Sequence, residues 1–438
     1  MRRLLLLLCC LGWPAAVVAG EAPAALARQQ PPNVLFIIGD DQAWWHFSFM
    51  DHPHIRTPNL DRLAAQGVLF TRGYVPTSLC RPSLMTMLTG LYPHQHRITG
   101  NDPVRGVPRA VLLESVRQLP TLPRLLAKRG YLSFQSGKWW EGHWRDGGFS
   151  DGMTHGDPRR GGRHGDEGLK IGRQGMEPVF RFLDRCRKKK RPFFVWYAPF
   201  LPHRPHTPPK ELLDYYRRRT DSIHVARYWA MCEWFDQTCG QLLDYLDRHH
   251  LAENTLVVFV VDNGWIQGRH SSRYAPRSKR TPYEGGIRTP VILRWPKRLR
   301  PRRDEQTLVS TIDLVPTVLA ACGVEPPPGL PGVNLLPVCR GEELSRKAVY
   351  GEIFHHDIVA YRRPQASLLY RWVIRGPWKL IEPRATNAPA ELYHLGRDPH
   401  ERHDLAARCP EKVQQLQADL QTWWELPPRF GTSGGSGE

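Results

Sequence analysis

Two pairs of oxygen-bearing side chains follow two strongly apolar segments of the chain. Asp40 and Asp41 come directly after one such segment, and Asp262 and Asn263 come directly after another. Adjacent carboxylates repel each other unless a cation lies between them, and ligand sets made only of oxygen suit hard ions such as Ca²⁺ or Mg²⁺. An Asp-Asp pair is also common in turns and helix caps. Because the pattern occurs twice, we favour a metal site.

Cys80 lies in a segment that is unusual for a structural cysteine. The residues after it read Arg-Pro-Ser, and Leu-Thr-Gly follows six residues beyond the proline. A helix is predicted to begin at Pro82-Ser83, and helix N-termini favour anions, so a sulfate or phosphate group could lie beside Cys80. A thiolate nucleophile would need a base that the sequence does not locate. A buried structural cysteine or one half of a disulfide is the alternative.

Three apolar runs predict strands that bring these residues to one edge of a sheet. They cover residues 33–38, 192–197 and 255–261. Near-continuous apolar runs are typical of strands that are buried on both faces of a parallel sheet. All three runs end in polar residues, and ligands gather at the carboxyl ends of strands in open α/β sheets.

Helical patterns lie between the predicted strands, and this alternation predicts the α/β class. The helical segments cover residues 59–67, 83–88, 122–128, 225–248 and 312–321. The Gly-, Arg- and His-rich residues 144–175 predict a long loop, either an insertion or a lid that faces the substrate. Near the end of the chain, residues 372–374 and 378–381 predict a hairpin, and residues 410–424 predict a helix.

Charge and hydropathy restrict the classes of partner. The 438 residues carry a formal charge of +19, which favours polyanions such as sulfated polysaccharides. Neither interleaved aromatic residues nor a zinc-finger pattern supports nucleic-acid binding. Residues 1–20 resemble a secretory signal peptide, so we expect a secreted or periplasmic protein. No later segment approaches roughly eighteen uninterrupted apolar residues, so we expect no membrane span.

The cysteine count leaves the disulfides undecided. Six cysteines remain besides Cys80 and the two in the signal segment: Cys186, Cys232, Cys239, Cys322, Cys339 and Cys409. An oxidising compartment permits disulfides among these six, but the sequence cannot choose a pairing.

Several motifs in a fixed order resemble the type I sulfatase family over roughly residues 33–425. The segment from Cys80 is similar to the family's maturation signature, C-x-P-S-R-x-x-x-L-T-G, whose cysteine is oxidised to formylglycine. The other matching motifs are N-V-L-F-I-I-G-D-D at 33–41, T-P-N-L-D-R-L-A at 57–64, G-K-W at 137–139, P-F-L-P-H at 199–203, D-N-G at 262–264, K-x-x-x-Y-E-G-G at 279–286 and the stretch that begins E-L-Y-H-L at 391.

The resemblance implies an alkaline-phosphatase-like fold, with a mostly parallel central sheet flanked by helices and a small antiparallel C-terminal subdomain. We therefore predict five segments along the chain. They are a signal peptide at 1–20, a linker at 21–32, a catalytic α/β domain at 33–340, a C-terminal subdomain at 341–430 and a flexible tail at 431–438.

The same resemblance implies a sulfatase, that is, a sulfuric ester hydrolase acting on a sulfate ester such as a sulfated carbohydrate. Asp40, Asp41, Asp262 and Asn263 would hold one Ca²⁺, with residue 80 completing the site as formylglycine. A maturation enzyme would have to convert Cys80, and the hydrated aldehyde would supply the hydroxyl that attacks sulfur.

Three more residues match sulfate-binding positions of the family. Lys138 and Lys279 would be cations that bind the sulfate group, and their charge would stabilise the sulfuryl oxygens. His203 would contact sulfate and act as the general acid that protonates the leaving alcohol. His206, in the same loop, is an alternative to His203.

Two positions depart from the family pattern. Leu84 stands where the signature has arginine, which removes a bidentate cation and part of the signal read by the maturation enzyme. Trp140 stands where the family has the histidine of Gly-Lys-Trp-His, which would help to release sulfate. His143 and, less directly, His164 are candidates to replace that histidine.

Two other functions are compatible with the sequence. A non-catalytic homologue that binds sulfated glycans would keep the basic surface and an unmodified thiol at Cys80. A phosphoester or phosphonate hydrolase of the same superfamily would normally use Thr or Ser and a second metal. Thr77, Ser78 and Ser83 flank Cys80, but the sequence shows no clear second ligand set.

Overall fold

The structure, a computed structural model, describes residues 30–157, 159 and 164–427. The predicted signal peptide at 1–20, most of the predicted linker at 21–32 and the predicted tail at 431–438 lie outside the described residues. Within the described part of the chain, every helix is too short or too polar to cross a membrane.

A large sheet of nine strands forms the centre of the described residues. Its strands are β1 (Asn33–Gly39), β2 (Val68–Tyr74), β3 (Leu132–Gly137), β4 (Asp151–Gly152), β5 (Phe193–Ala198), β6 (Thr255–Val261), β7 (Arg288–Arg294), β8 (Arg302–Asp304) and β9 (Val309–Ser310). Their order is β4-β3-β5-β1-β6-β7-β2-β8, and β9 also pairs with β2. The pairings are parallel except for β7, which runs antiparallel to β6 and β2. The predicted mostly parallel α/β fold is confirmed.

Helices cover both faces of this sheet. The described helices are α1 (Pro58–Gln66), α2 (Cys80–Thr89), α3 (Pro93–His96), α4 (Arg109–Gln118), α5 (Leu122–Ala127), α6 (Glu177–Lys188), α7 (Lys210–Arg217), α8 (Ile223–Arg248), α9 (Glu284–Ile287), α10 (Leu314–Ala321), α11 (Leu336–Cys339) and α12 (Pro410–Trp423). Because side chains alternate along a strand, Phe36 of β1 packs in one apolar cluster with α2, α5 and α10. Ile37 packs in another with α6 and α8. Both faces of β1 are therefore buried.

β1 occupies the centre of the sheet because it pairs with β5 on one side and β6 on the other. All seven residues of β6 are buried, as the apolar run predicted. The register pairs Gly39 at the end of β1 with Val261 at the end of β6. The residues that follow these strands therefore lie at one edge of the sheet, where α/β folds place their ligands.

The small second sheet is antiparallel. It consists of β10 (Ala348–Phe354), β11 (Leu368–Arg375), β12 (Trp378–Pro383) and β13 (Glu391–His394), in that order. α12 packs against it through Leu416 and Leu420, which meet Val373, Leu380 and Leu392. The predicted hairpin and C-terminal helix are both present. The predicted boundary between residues 340 and 341 falls between the two sheets and stays a prediction.

The predicted long loop at 144–175 contains short pieces of regular structure. The segment contains 3₁₀ turns at Trp144–Gly147 and Glu167–Lys170, and β4, which pairs with β3. These pieces are too short to produce a hydrophobic period.

β3 itself has a mixed sequence, and the apolar pattern did not predict it. Gln135 and Ser136 are buried there, because their side chains donate to the backbone oxygens of Gly137 and Trp196. β2, β7, α6 and α7 were also not predicted from the sequence.

The seven described cysteines are all free thiols, so the permitted disulfides do not form among them. Six of the seven are buried, which is typical of cysteine as a small apolar residue. Cys186, Cys232 and Cys239 lie in the apolar clusters around α6 and α8.

Candidate active site

The two carboxylates after β1 are held by different cations. Asp40 Oδ1 accepts from Lys138 Nζ at 2.6 Å. Asp41 Oδ1 accepts from Lys279 Nζ at 2.5 Å and from Asn263 Nδ2 at 2.7 Å. Burial, together with the neighbouring carboxylates, raises the pKa of Asp40 well above its usual range despite Lys138. For Asp41, burial acts in the same direction, but Lys279 and His203 outweigh it and lower the pKa.

The residues after β6 complete the acidic group. Asp262 Oδ1 accepts from the backbone N–H of Asp41 at 3.0 Å, and Asp262 Oδ2 lies 3.3 Å from Lys138 Nζ. The glycine of the Asp-Asn-Gly motif is needed because a Cβ on Gly264 would lie 2.1 Å from the backbone oxygen of Gly285. This close approach fixes the direction of the chain as it leaves the strand.

Lys138 reaches the site because of the glycine before it. Gly137 has a φ of +85°, and a Cβ there would lie 1.9 Å from the backbone oxygen of Ala198. That approach lets the N–H of Lys138 donate to the same oxygen at 2.6 Å. The ammonium group is fully buried. Burial alone would lower its pKa, but Asp40 and the other acidic groups raise it well above the usual value, so Lys138 is charged.

Cys80 is the first residue of α2, so the prediction that the helix begins at Pro82-Ser83 was wrong by two residues. Pro82 fits in the first helical turn because its missing N–H would have no partner there. The thiol is 2% exposed. Its Sγ lies 3.0 Å from Lys279 Nζ and 4.0 Å from Asp41 Oδ1. Burial raises the pKa of the thiol to about 12, against the effect of Lys138 and Lys279.

His203 approaches the same carboxylate from another side. Its Nε2 lies 3.4 Å from Asp41 Oδ2, and its Nδ1 donates to the backbone oxygen of Arg204 at 2.6 Å. Burial lowers the pKa of His203 well below its usual range, although Asp41 opposes this shift. His206 instead packs near the rings of Tyr228 and Trp265. The geometry therefore favours His203 over His206.

The donor set fits a hard cation. Asp40 Oδ2, Asp41 Oδ2 and Asn263 Oδ1 are buried and have no hydrogen-bond partner among the described residues. Buried acceptors rarely stay unsatisfied, and a bound Ca²⁺ or Mg²⁺ would satisfy all three. Ligand atoms of Asp40, Asp41, Cys80 and His203 also lie within 4.8 Å of one another.

Cys80 opens onto a cavity of about 620 Å³. Lys279 and His203 line it, as do the aromatic side chains of Trp265 and Tyr274. Aromatic faces beside charged groups suit a sugar that carries an anionic substituent.

His143 and, less directly, His164 were the candidates to replace the family histidine that is Trp140 here. The structure favours His164. The ring of His164 lies 5.1 Å from that of Trp140, and both line the cavity at Cys80. His143 instead accepts from the backbone N–H of Arg145 at the start of a 3₁₀ turn. Because His164 and Trp140 are far apart along the chain, the sequence did not indicate that they are close in the fold.

Leu84, the other departure, belongs to the core. It is 6% exposed and packs in the apolar cluster with Met85 and Leu88. The arginine of this segment is Arg81, whose buried guanidinium donates to both carboxylate oxygens of Glu141 at 2.7 and 2.6 Å.

Seven residues of the cavity had not been predicted: Asn101, Arg204, Trp265, Arg273, Tyr274, Arg280 and His356. Arg204, Trp265 and Arg280 directly follow motif residues, so these positions could have indicated them. The other four lie in segments without a motif, and only the fold brings them to the cavity.

Comparisons with known proteins identify the family of this chain. The sulfatase family model matches residues 32–324, and the model for the C-terminal region of N-sulphoglucosamine sulphohydrolase matches residues 274–425. The chain is 29% identical to N-acetylgalactosamine-6-sulfatase of Canis lupus familiaris, across 93% of this chain and 88% of that protein. Arylsulfatase A of Homo sapiens is 28% identical, with 93% and 90% covered.

A solved structure shares the fold. The crystal structure of Ps i-CgsB in complex with k-i-k-neocarrahexaose superposes with a TM-score of 0.74 at 23% identity, covering 90% of this chain and 93% of that one. The family model covers well over half of the chain. The chain therefore belongs to the sulfatase family, whose named members hydrolyse sulfate esters.

Proposed function

We propose that this protein removes sulfate from a sulfated carbohydrate, with residue 80 as its reactive position. The observation that carries the proposal is the position of Cys80, whose Sγ lies 3.0 Å from Lys279 Nζ where the cavity meets the acidic group. The named activity of N-acetylgalactosamine-6-sulfatase, a sugar sulfatase, supports a sulfated sugar as the substrate.

We assign one Ca²⁺, with Mg²⁺ as the alternative, to Asp40, Asp41, Asp262 and Asn263 together with residue 80. We also propose that a maturation enzyme converts Cys80 to formylglycine. The bound ion would supply positive charge for the sulfuryl oxygens, and the hydrated aldehyde would supply a hydroxyl nucleophile.

The side chains of the protein would bind the sulfate group and move protons. Lys138 and Lys279 both have raised pKa values, so their charges can stabilise the negative charge that develops on the sulfuryl oxygens. His203 would deliver a proton to the leaving alcohol from Nε2, the ring nitrogen that faces Asp41. Because burial lowers the pKa of His203, binding of the anionic substrate would first have to raise that pKa. Trp140 would help to exclude water from the reaction, since it is buried at the wall of the cavity.

The activity can be tested with a matched pair of substrates, N-acetylgalactosamine 6-sulfate and N-acetylgalactosamine 6-phosphate. We expect Ca²⁺-dependent release of sulfate and much slower release of phosphate, measured as free anion. Phosphate release without sulfate release would favour the phosphoester alternative. Tight binding of sulfated sugars without turnover of any of them would favour the non-catalytic alternative.

We expect His164→Gln to lower kcat about 10- to 100-fold, because we propose that His164 accepts a proton during sulfate release. His143→Gln is the matched control, since His143 caps a turn and should change kcat less than about twofold. Steady-state kinetics on the same sulfated sugar would compare the two variants. Equal effects of the two substitutions would contradict the assignment of His164.

A further inference from the structure

Three arginines at the cavity of Cys80 have no acidic partner. We call Arg204, Arg273 and Arg280 the basic rim; all three line this cavity. Among the described residues, no carboxylate pairs with any of the three guanidinium groups. The Arg204 guanidinium instead lies over the ring of Trp265, 5.4 Å from its centroid.

Three arginines inside the fold have a carboxylate partner. Arg81 pairs with Glu141, Arg346 with Asp313 and Arg371 with Glu382. Arginine side chains lose considerable conformational entropy when they are ordered, and like charges in one cavity repel. Three guanidinium groups at the cavity of Cys80 without a carboxylate partner among the described residues therefore favour a ligand that brings negative charge.

The scissile sulfate does not account for this charge. It would lie at Cys80 between Lys138 and Lys279, whose ammonium groups are within 2.6 Å of Asp40 and Asp41 respectively. The basic rim is farther out, since Arg273 and Arg280 are exposed and Arg204 is half-buried. A guanidinium fork recognises planar or tetrahedral oxyanions with two hydrogen bonds.

The cleft is also longer than one sugar residue requires. The cavity at Cys80 shares His164, His203 and Arg204 with a second cavity of about 630 Å³. Each of the two alone has the volume of a complete small-molecule site. An oligosaccharide could therefore place one sugar at Cys80 and its neighbour beside the basic rim.

We infer that the basic rim binds a second anionic group of the substrate, a carboxylate or a second sulfate, close to the sulfate that is removed. The inference rests on the proposed function and adds the class of substrate: a glycan with at least two negative charges. Aryl sulfates and singly charged sugars lack the group that the basic rim recognises.

Three oligosaccharides test this inference by direct binding. They are a disaccharide of chondroitin 6-sulfate, with one sulfate and one carboxylate, the same disaccharide with its carboxyl group reduced to an alcohol, and its 4,6-disulfated counterpart. The Kd of each is measured by titration calorimetry for the full chain with an unconverted Cys80, so the result does not depend on maturation. Arg204→Gln, Arg273→Gln and Arg280→Gln are compared with Arg181→Gln, an equal change of charge at an exposed helix residue that pairs with Glu177.

For the unsubstituted protein, we expect carboxyl reduction or the added sulfate to change Kd about fivefold to tenfold. Sensitivity to carboxyl reduction identifies a carboxylate as the second anion, and sensitivity to the added sulfate identifies a sulfate. Substitutions in the basic rim should reduce that sensitivity to less than about twofold, whereas Arg181→Gln should leave it unchanged.

Three results would overturn the inference. The first is a Kd that stays the same after both changes of charge, and the second is that the basic-rim variants behave like Arg181→Gln. The third is that none of the three oligosaccharides binds. The proposed function fails in a different way, through the absence of sulfate release from matured protein. The two failures can therefore be told apart.

Discussion

Asp262→Ala is expected to lower kcat for sulfate release about 10²- to 10³-fold. Asp262 accepts from the backbone of Asp41, lies 3.3 Å from Lys138 Nζ and belongs to the proposed ligand set. Alanine would remove a metal ligand and one carboxylate that holds the lysine in place. Steady-state kinetics with added Ca²⁺ would measure the loss.

A second readout keeps this prediction independent of turnover. Ca²⁺ at about 100 times its Kd should raise the free energy of unfolding of the unsubstituted protein by about 2.7 kcal/mol, seen as a higher Tm. Asp262→Ala should lose this stabilisation, whereas Asp214→Ala, a matched substitution in an exposed pair with Lys210, should keep it. A full Ca²⁺ effect in Asp262→Ala would refute the metal assignment.

Lys379→Met is expected to destabilise the fold by about 3–5 kcal/mol. Lys379 in β12 is fully buried, and its Nζ lies 3.1 Å from Glu284 Oε1 and 2.7 Å from Glu401 Oε1. Burial raises the pKa of Glu401 to about 7 even with this lysine present. Methionine has a similar length but would leave two buried carboxyl groups without their shared cation. Urea unfolding would measure the change.

The control for this substitution is Lys210→Met, the same exchange at an exposed residue that pairs with Asp214. Exposed ion pairs contribute little to the free energy of unfolding, so this variant should change that free energy by less than about 1 kcal/mol. If Lys379→Met lowered the free energy of unfolding as little as Lys210→Met, the buried ion pairs of Lys379 would not stabilise the contact between the small sheet and α9.

The sequence predicts the acidic part of the site well and its outer part poorly. Asp40 and Asp262 follow apolar runs that are typical of buried strands, and parallel strands bring their carboxyl ends to the same edge. Lys138 and His203 were found through motifs. Arg273 and His356 have no such signal, because their proximity to Cys80 arises from loops whose paths depend on tertiary packing.

The secondary structure was likewise predicted well in some elements and poorly in others. β6 was predicted at its full length because six of its seven residues are apolar, whereas β3 contains buried polar side chains that donate hydrogen bonds to backbone oxygens. The predicted start of α2 was two residues late. Proline is tolerated in the first helical turn, so Pro82 indicates that turn but not its first residue. His164 was ranked below His143 because distance along the chain says little about distance in the fold.

The chemical state of residue 80 decides the central claim, because Leu84 replaces an arginine of the maturation signature. Mass spectrometry of the tryptic peptide from Gly73 to Arg97, from protein made in its native host, measures this state directly. The peptide stays intact at Arg81 because Pro82 follows it. We predict the loss of mass that accompanies conversion of the thiol to the aldehyde, in protein that releases sulfate. A thiol mass alone, in protein that releases no sulfate from any sulfated sugar, would contradict the proposed function.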